Sequence, residues 1–66
     1  MTIDDINHIF ATQLSFPNKQ DLYFVLIEDG HKIAQRHPSN ELNTLLLLLD
    51  NFVYDGTRGG MPFFTK

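Results

Sequence analysis

Three histidines, His8, His31 and His37, are the residues of this chain best suited to metal ligation or to proton transfer near neutral pH. Neither chemistry has the spacing it needs. No His-x-x-x-His pair and no His-Glu-x-x-His motif is present, so no helix offers two ligands one turn apart. There is no cysteine, so a metal would require histidines and carboxylates converging from separate segments. The histidines therefore read as solvated or locally hydrogen-bonded. His31, beside Glu28 and Asp29, is the one placed to titrate at an interface.

Covalent catalysis meets the same obstacle. A cysteine nucleophile is excluded, and no serine sits in an elbow motif with histidine and aspartate in order. Thr2 stands where very small oligomeric enzymes carry an N-terminal proline base. The carboxylates have structural explanations. Asp4, Asp5, Glu41 and Asp55 fall at predicted helix ends, Asp21 and Asp29 at strand ends and turns, and Asp50 on an outward helix face. The sequence predicts no catalytic residue, no metal and no cofactor, and the chain reads as a non-enzyme.

Gly56-Thr57-Arg58-Gly59-Gly60 has the composition of an anion-binding loop but not its setting. It lacks the Gly-Lys-Ser/Thr ending and follows a predicted helix, whose C-terminal end repels anions. A helix stop and flexible connector is the expectation; the alternative is a partner-contacting loop in which Arg58 offers a forked donor to carboxylate or phosphate. Lys19, Lys32, Arg36, Arg58 and Lys66 are the only permanent cations. Lys32 and Arg36 share one face of a predicted strand near Tyr23, which makes a small platform for single-stranded nucleic acid an alternative reading, with Arg58 as a third contact. The net charge of −3 works against a general phosphate-binding surface.

The elements that position these residues follow from periodicity. Residues 2–15 predict a helix with Thr2 as N-cap and Asp5 as its capping-box partner. Ile3, Ile6, Ile9, Phe10 and Leu14 form its apolar stripe. Leu22 to Ile27 are six apolar residues rich in aromatic and β-branched types, which suits a strand over Asp21–Ile27. Asp29-Gly30 is a hairpin turn, and His31–Arg36 alternates as the second strand. Ser39 or Asn40 caps a second helix that runs to about Tyr54, with Gly56 ending it. Its stripe is Leu42, Leu45, Leu46, Leu49, Phe52 and Val53. Met61–Lys66 adds a short edge strand or packs on the sheet, and Pro62 is expected to keep it out of a central position.

The fold class is therefore α+β over a single domain, residues 1–66. It is a small α-β-β-α arrangement with an antiparallel hairpin or three-stranded sheet and two helices packed on one face. No segment approaches the roughly 20 apolar residues of a membrane span, and Met1 to Asp5 lacks a signal-peptide plan. A soluble, cytoplasmic protein is expected, with no membrane partner.

Size then becomes the argument. A chain of 66 residues with 42% apolar content has few places to bury its side chains. Both faces of the first strand are apolar, and Leu47 with Tyr54 lies opposite the main helical stripe, with Leu48 flanking it. An apolar patch left exposed marks an interface. The contact residues predicted on this ground are Leu47, Leu48 and Tyr54 on the helix, Tyr23 and Val25 on the sheet, and Phe63 and Phe64 in the C-terminal segment. The predicted function is a small binding or regulatory protein, an inhibitor or accessory factor, that forms a homodimer or docks on a larger protein.

Overall fold

Thr2 caps the first helix in the computed structural model, which describes residues 1–66. Its hydroxyl accepts from the Asp5 amide, and the Asp5 carboxylate accepts from the Thr2 amide, so the capping box is complete. Helix α1 spans Ile3–Ile9, and a single further turn, α2, spans Ala11–Leu14. The continuous helix expected over 2–15 is thus divided. Phe10 leaves helical geometry at φ −100° and ψ 16°, and its buried ring packs edge-on to Phe24 and stacked with Phe64.

The hairpin forms as its sequence predicts, with β1 at Asp21–Glu28 and β2 at His31–Pro38. Asp29 (φ 54°) and Gly30 (φ 78°) both take positive φ, which a two-residue hairpin turn matched to the strand twist requires.

Helix α3 spans only Leu42–Leu49, not the stretch to Tyr54. Glu41 occupies its N-cap without a side-chain bond, so neither Ser39 nor Asn40 caps it. Val53–Arg58 instead forms β3, and Met61–Thr65 forms β4. Val53, Tyr54 and Thr57 are strand formers, and pairing along β4 satisfies backbone groups that a longer helix would have bonded internally. Gly56 (φ 102°) lies in a bulge of β3, and Gly59-Gly60 makes the tight β3–β4 turn. The glycine-rich stretch is therefore a bulged strand and a hairpin turn, not a loose connector after a helix.

The sheet has four strands in the order β2-β1-β4-β3. β1 pairs antiparallel with β2 and parallel with β4, and β4 pairs antiparallel with β3. The α+β class holds, with two more elements of sheet than the bare hairpin and an α2 turn added. Pro62 lies in β4, a central strand, against expectation. The carboxamide of Gln13 on α2 makes this possible by bonding to the backbone of Tyr23 beside it.

The helices cover one face of this sheet. Leu22, Phe24 and Phe64 meet Ile6, Phe10, Leu45 and Leu49 in one buried cluster, with Leu42, Leu46 and Phe52 packed around it. Val53, expected on the helical stripe, is exposed on the β3 edge. No helix is long and apolar enough to cross a membrane.

Candidate binding surface

Side chains alternate across a strand, so the face opposite the helices follows from the pairing registers. On β1 it carries Tyr23, Val25 and Ile27. β2 sets Arg36, Ala34 and Lys32 beside them, and β4 sets Phe63 beside Val25 and Thr65 beside Ile27. The helices α1, α2 and α3 pack on the other face, while Lys19, from the turn after α2, reaches the Tyr23 ring at the end of this one. Its centre is aliphatic and tightly packed, with Val25 only 7% exposed between its neighbours. Its margins carry the cations Lys32, Arg36 and Arg58 together with the carboxylates of Asp21 and Asp55.

Two cations lie against aromatic rings. The Arg58 guanidinium sits 4.7 Å from the Phe63 ring centre, and the Lys19 ammonium lies 5.9 Å from both the Phe16 and Tyr23 rings. Arg58 also stands 3.9 Å from the Asp55 carboxylate. Lys32 and Arg36 enter no ion pair. Asp4, Asp5, Glu41 and Asp50, by contrast, belong to the helical layer. A chain of net charge −3 thus presents a sheet face whose charged side chains are mostly positive.

The predicted contact residues divide into separate groups. Tyr23 and Phe63 come together on the open face; Val25 lies between them in register but is only 7% exposed, so it is a correction as a contact residue. Tyr23 and Phe63 share the face with Lys32, Arg36 and Arg58, the residues of the alternative nucleic-acid reading. Phe64 is a second correction: it is 0% exposed, since the residue after Phe63 must point to the opposite, helix-covered face. Tyr54 is a third one. It lies on β3 with its ring centre 5.6 Å from that of Phe64 and its hydroxyl hydrogen-bonded to Thr57, so it shares no helical line with Leu47. Leu47, 72% exposed, and Leu48 lie on the outer side of α3, away from the sheet.

Sequence reasoning passed over Phe16 and gave Lys19 no role beyond its charge. Together with Tyr23, Gly60 and Met61 they line a cleft of about 260 Å³ at the end of the open face. Phe16 is 55% exposed, and the signal for it was an aromatic placed directly before a proline turn, where no periodicity assigns it to a core. Gln13, at the base of the same cleft, is buried and fully bonded.

The titratable groups do not assemble. No group of three or more histidine, aspartate or glutamate side chains converges. His37 bonds through Nε2 to the Glu41 carbonyl at 2.8 Å, which ties the end of β2 to the start of α3. Hydrogen bonds from the Thr2 amide and hydroxyl region hold the Asp5 carboxyl below the usual carboxylate range, a consequence of helix capping. No family model, curated protein or solved structure matches the chain, so the functional reading rests on its own residues.

Proposed function

We propose that this protein is a non-enzymatic binding module that acts by docking the open sheet face on another protein. The observation that carries this reading is the placement of Tyr23, Val25, Ile27 and Phe63 on the side of the sheet opposite the helical layer. In a mixed four-stranded sheet of this size, a face free of helices with an apolar centre and a polar margin has the anatomy of a protein interface. Self-association through this face would bring Lys32, Arg36 and Arg58 of two copies together, which favours a different, acidic molecule over a second copy. An inhibitor or accessory factor works this way, by occupying a surface.

Capture from the native host with three baits tests the reading. The wild type, Phe63→Glu on the sheet face and Leu47→Asp on the helical layer are compared, with circular dichroism confirming that each is folded. A partner retained by Leu47→Asp and lost by Phe63→Glu supports the sheet face. A partner lost only by Leu47→Asp refutes it and points to the outer side of α3.

A second reading, single-stranded nucleic acid, has one observation in its favour. Tyr23 and Phe63 stand on the two central strands with Lys32, Arg36 and Arg58 around them, which combines stacking surfaces with cations. Against it, Lys19 and Arg58 already occupy the neighbourhood of those rings, and Asp55 offsets Arg58. Titrating a labelled oligothymidylate at several salt concentrations separates the readings. Phosphate-driven binding weakens steeply with salt, and absence of binding at low salt removes the second one.

A further inference from the structure

The outer edge of the sheet names the chemistry of a partner more closely than its face does. β2 is an edge strand of eight residues, His31–Pro38, paired on one side only. β1 turns the Tyr23 amide toward Gln13 and the Ile27 carbonyl toward Lys66, both on the side away from β2. Backbone groups alternate sides along an antiparallel strand. Leu22, Phe24, Leu26 and Glu28 therefore face β2, and their partners His37, Gln35, Ile33 and His31 carry the ladder. The N–H and C=O groups of Lys32, Ala34 and Arg36 are left pointing outward, in register for another strand.

The opposite edge does not offer this. β3 is bulged between Tyr54 and Thr57, which breaks its pairing line. β2 has no bulge, and its only proline is its last residue. The same three residues that hold the free backbone groups send their side chains to the open face, as two cations on either side of an alanine. A hollow lined by Tyr23, Ala34, Gln35 and Arg36 lies over that alanine.

We propose that β2 captures an extended acidic segment of a partner protein by adding it as a fifth, antiparallel strand. Opposite Lys32 and Arg36 such a strand places two carboxylates four residues apart, and opposite Ala34 it places an apolar side chain beside Tyr23. The recognised pattern is acidic, any, apolar, any, acidic. Backbone bonds supply a general affinity, and the alternate side chains supply selectivity. A second copy of β2 is disfavoured in this place, because pairing centred on Ala34 sets Lys32 of each copy opposite Arg36 of the other. Charges that protect an edge from self-pairing here leave it complementary to acid.

The proposal rests on the reading of this molecule as a protein-docking module, and a peptide titration separates the two. The probe is a fluorescent acetylated peptide, Thr-Glu-Thr-Val-Thr-Glu-Thr amide, with a version carrying lysine in place of both glutamates as control. Binding is followed by anisotropy, and the site by amide exchange and chemical shifts. The acidic peptide should bind and protect the amides of Lys32, Ala34 and Arg36. Lys32→Glu with Arg36→Glu should weaken it about tenfold and transfer preference to the lysine peptide. Ala34→Pro should abolish binding while the domain stays folded, because the lost N–H is one that faces solvent. Unchanged binding by Ala34→Pro, with shifts confined to Tyr23, Val25 and Phe63, overturns strand addition and leaves face docking intact. No binding of either peptide by the wild type also overturns strand addition. Oligothymidylate binding in that case overturns both readings.

Discussion

Gln13 supplies from α2 the hydrogen-bond donor that Pro62 withholds from the sheet. In the parallel β1–β4 ladder the Lys66 amide donates to the Ile27 carbonyl at 3.0 Å. Four residues earlier the same step would run from position 62 to the Tyr23 carbonyl, and proline has no N–H to give. Gln13 Nε2 donates to that carbonyl at 2.8 Å, and Gln13 Oε1 accepts from the Tyr23 amide at 2.7 Å. Nε2 also reaches the Gly60 carbonyl at 3.2 Å, so one carboxamide closes the ladder and ties it to the β3–β4 turn.

Removing this clamp should be costly, because it leaves backbone groups of Tyr23 without partners. Gln13→Leu is predicted to destabilise the domain by about 1–3 kcal/mol, measured by urea denaturation. The loss caused by Gln13→Ala should be smaller in a Pro62→Ala background, where the ladder regains its own donor. Strict additivity in that double-mutant cycle would contradict the substitution of one group for the other.

Gln13→Glu gives the same geometry a pH dependence. A carboxylate there would face the Tyr23 and Gly60 carbonyls with no hydrogen to donate, so the protonated form is favoured and the folded pKa is raised above the unfolded value. Stability relative to the wild type should therefore be greatest below the ordinary glutamate pKa and decline as pH rises through the raised folded value. A variant-minus-wild-type stability difference that is flat between acid and neutral pH would exclude this arrangement.

Asp5 carries the opposite sign. Its carboxyl is held below the usual range by the Thr2 amide first and the Thr2 hydroxyl second. With the folded pKa lowered, its contribution is present above the unfolded pKa and is lost as pH falls through the folded one. A carbon-detected NMR titration should place Asp5 below the ordinary aspartate range. Thr2→Ala should move Asp5 part of the way back, since the backbone bond remains. An Asp5 titration unaffected by that change would argue against the capping box in solution.

The distinction between buried Phe64 and exposed Leu47 is also measurable. Phe64 contacts the rings of Phe10, Phe24 and Tyr54, and Phe64→Ala should cost about 3–5 kcal/mol. That is comparable with the whole stability expected of a small domain, so extensive unfolding at 25 °C is the anticipated result. Leu47→Ala should stay within about 0.5 kcal/mol of wild type, as exposed substitutions do. Similar costs at the two positions would contradict their assigned environments.

Much of the local architecture was legible in the residues alone. Thr2 and Asp5 fixed the start of α1, Asp29-Gly30 fixed the hairpin, and the alternation of Lys32, Ala34 and Arg36 gave their shared face. These signals act over a few residues, through capping bonds, permitted φ values and strand period. The apolar character of both sides of β1 also marked Tyr23 and Val25 as a second face apart from the helical one, although Val25 is only 7% exposed within the chain.

The second half of the chain was decided at longer range. Leu45 to Tyr54 is apolar enough to read as one long helix, and Pro62 reads as an edge residue. Only the pairing of β4 between β1 and β3 takes Val53 and Tyr54 out of helix, sends Phe64 inward and Phe63 outward, and makes Gln13 the bonding partner of a residue ten positions away. Periodicity records what each segment can bury, whereas the sheet's order records which segments share the burial. That second fact has no local signal, because it depends on backbone groups that find their partners only when the whole sheet is assembled.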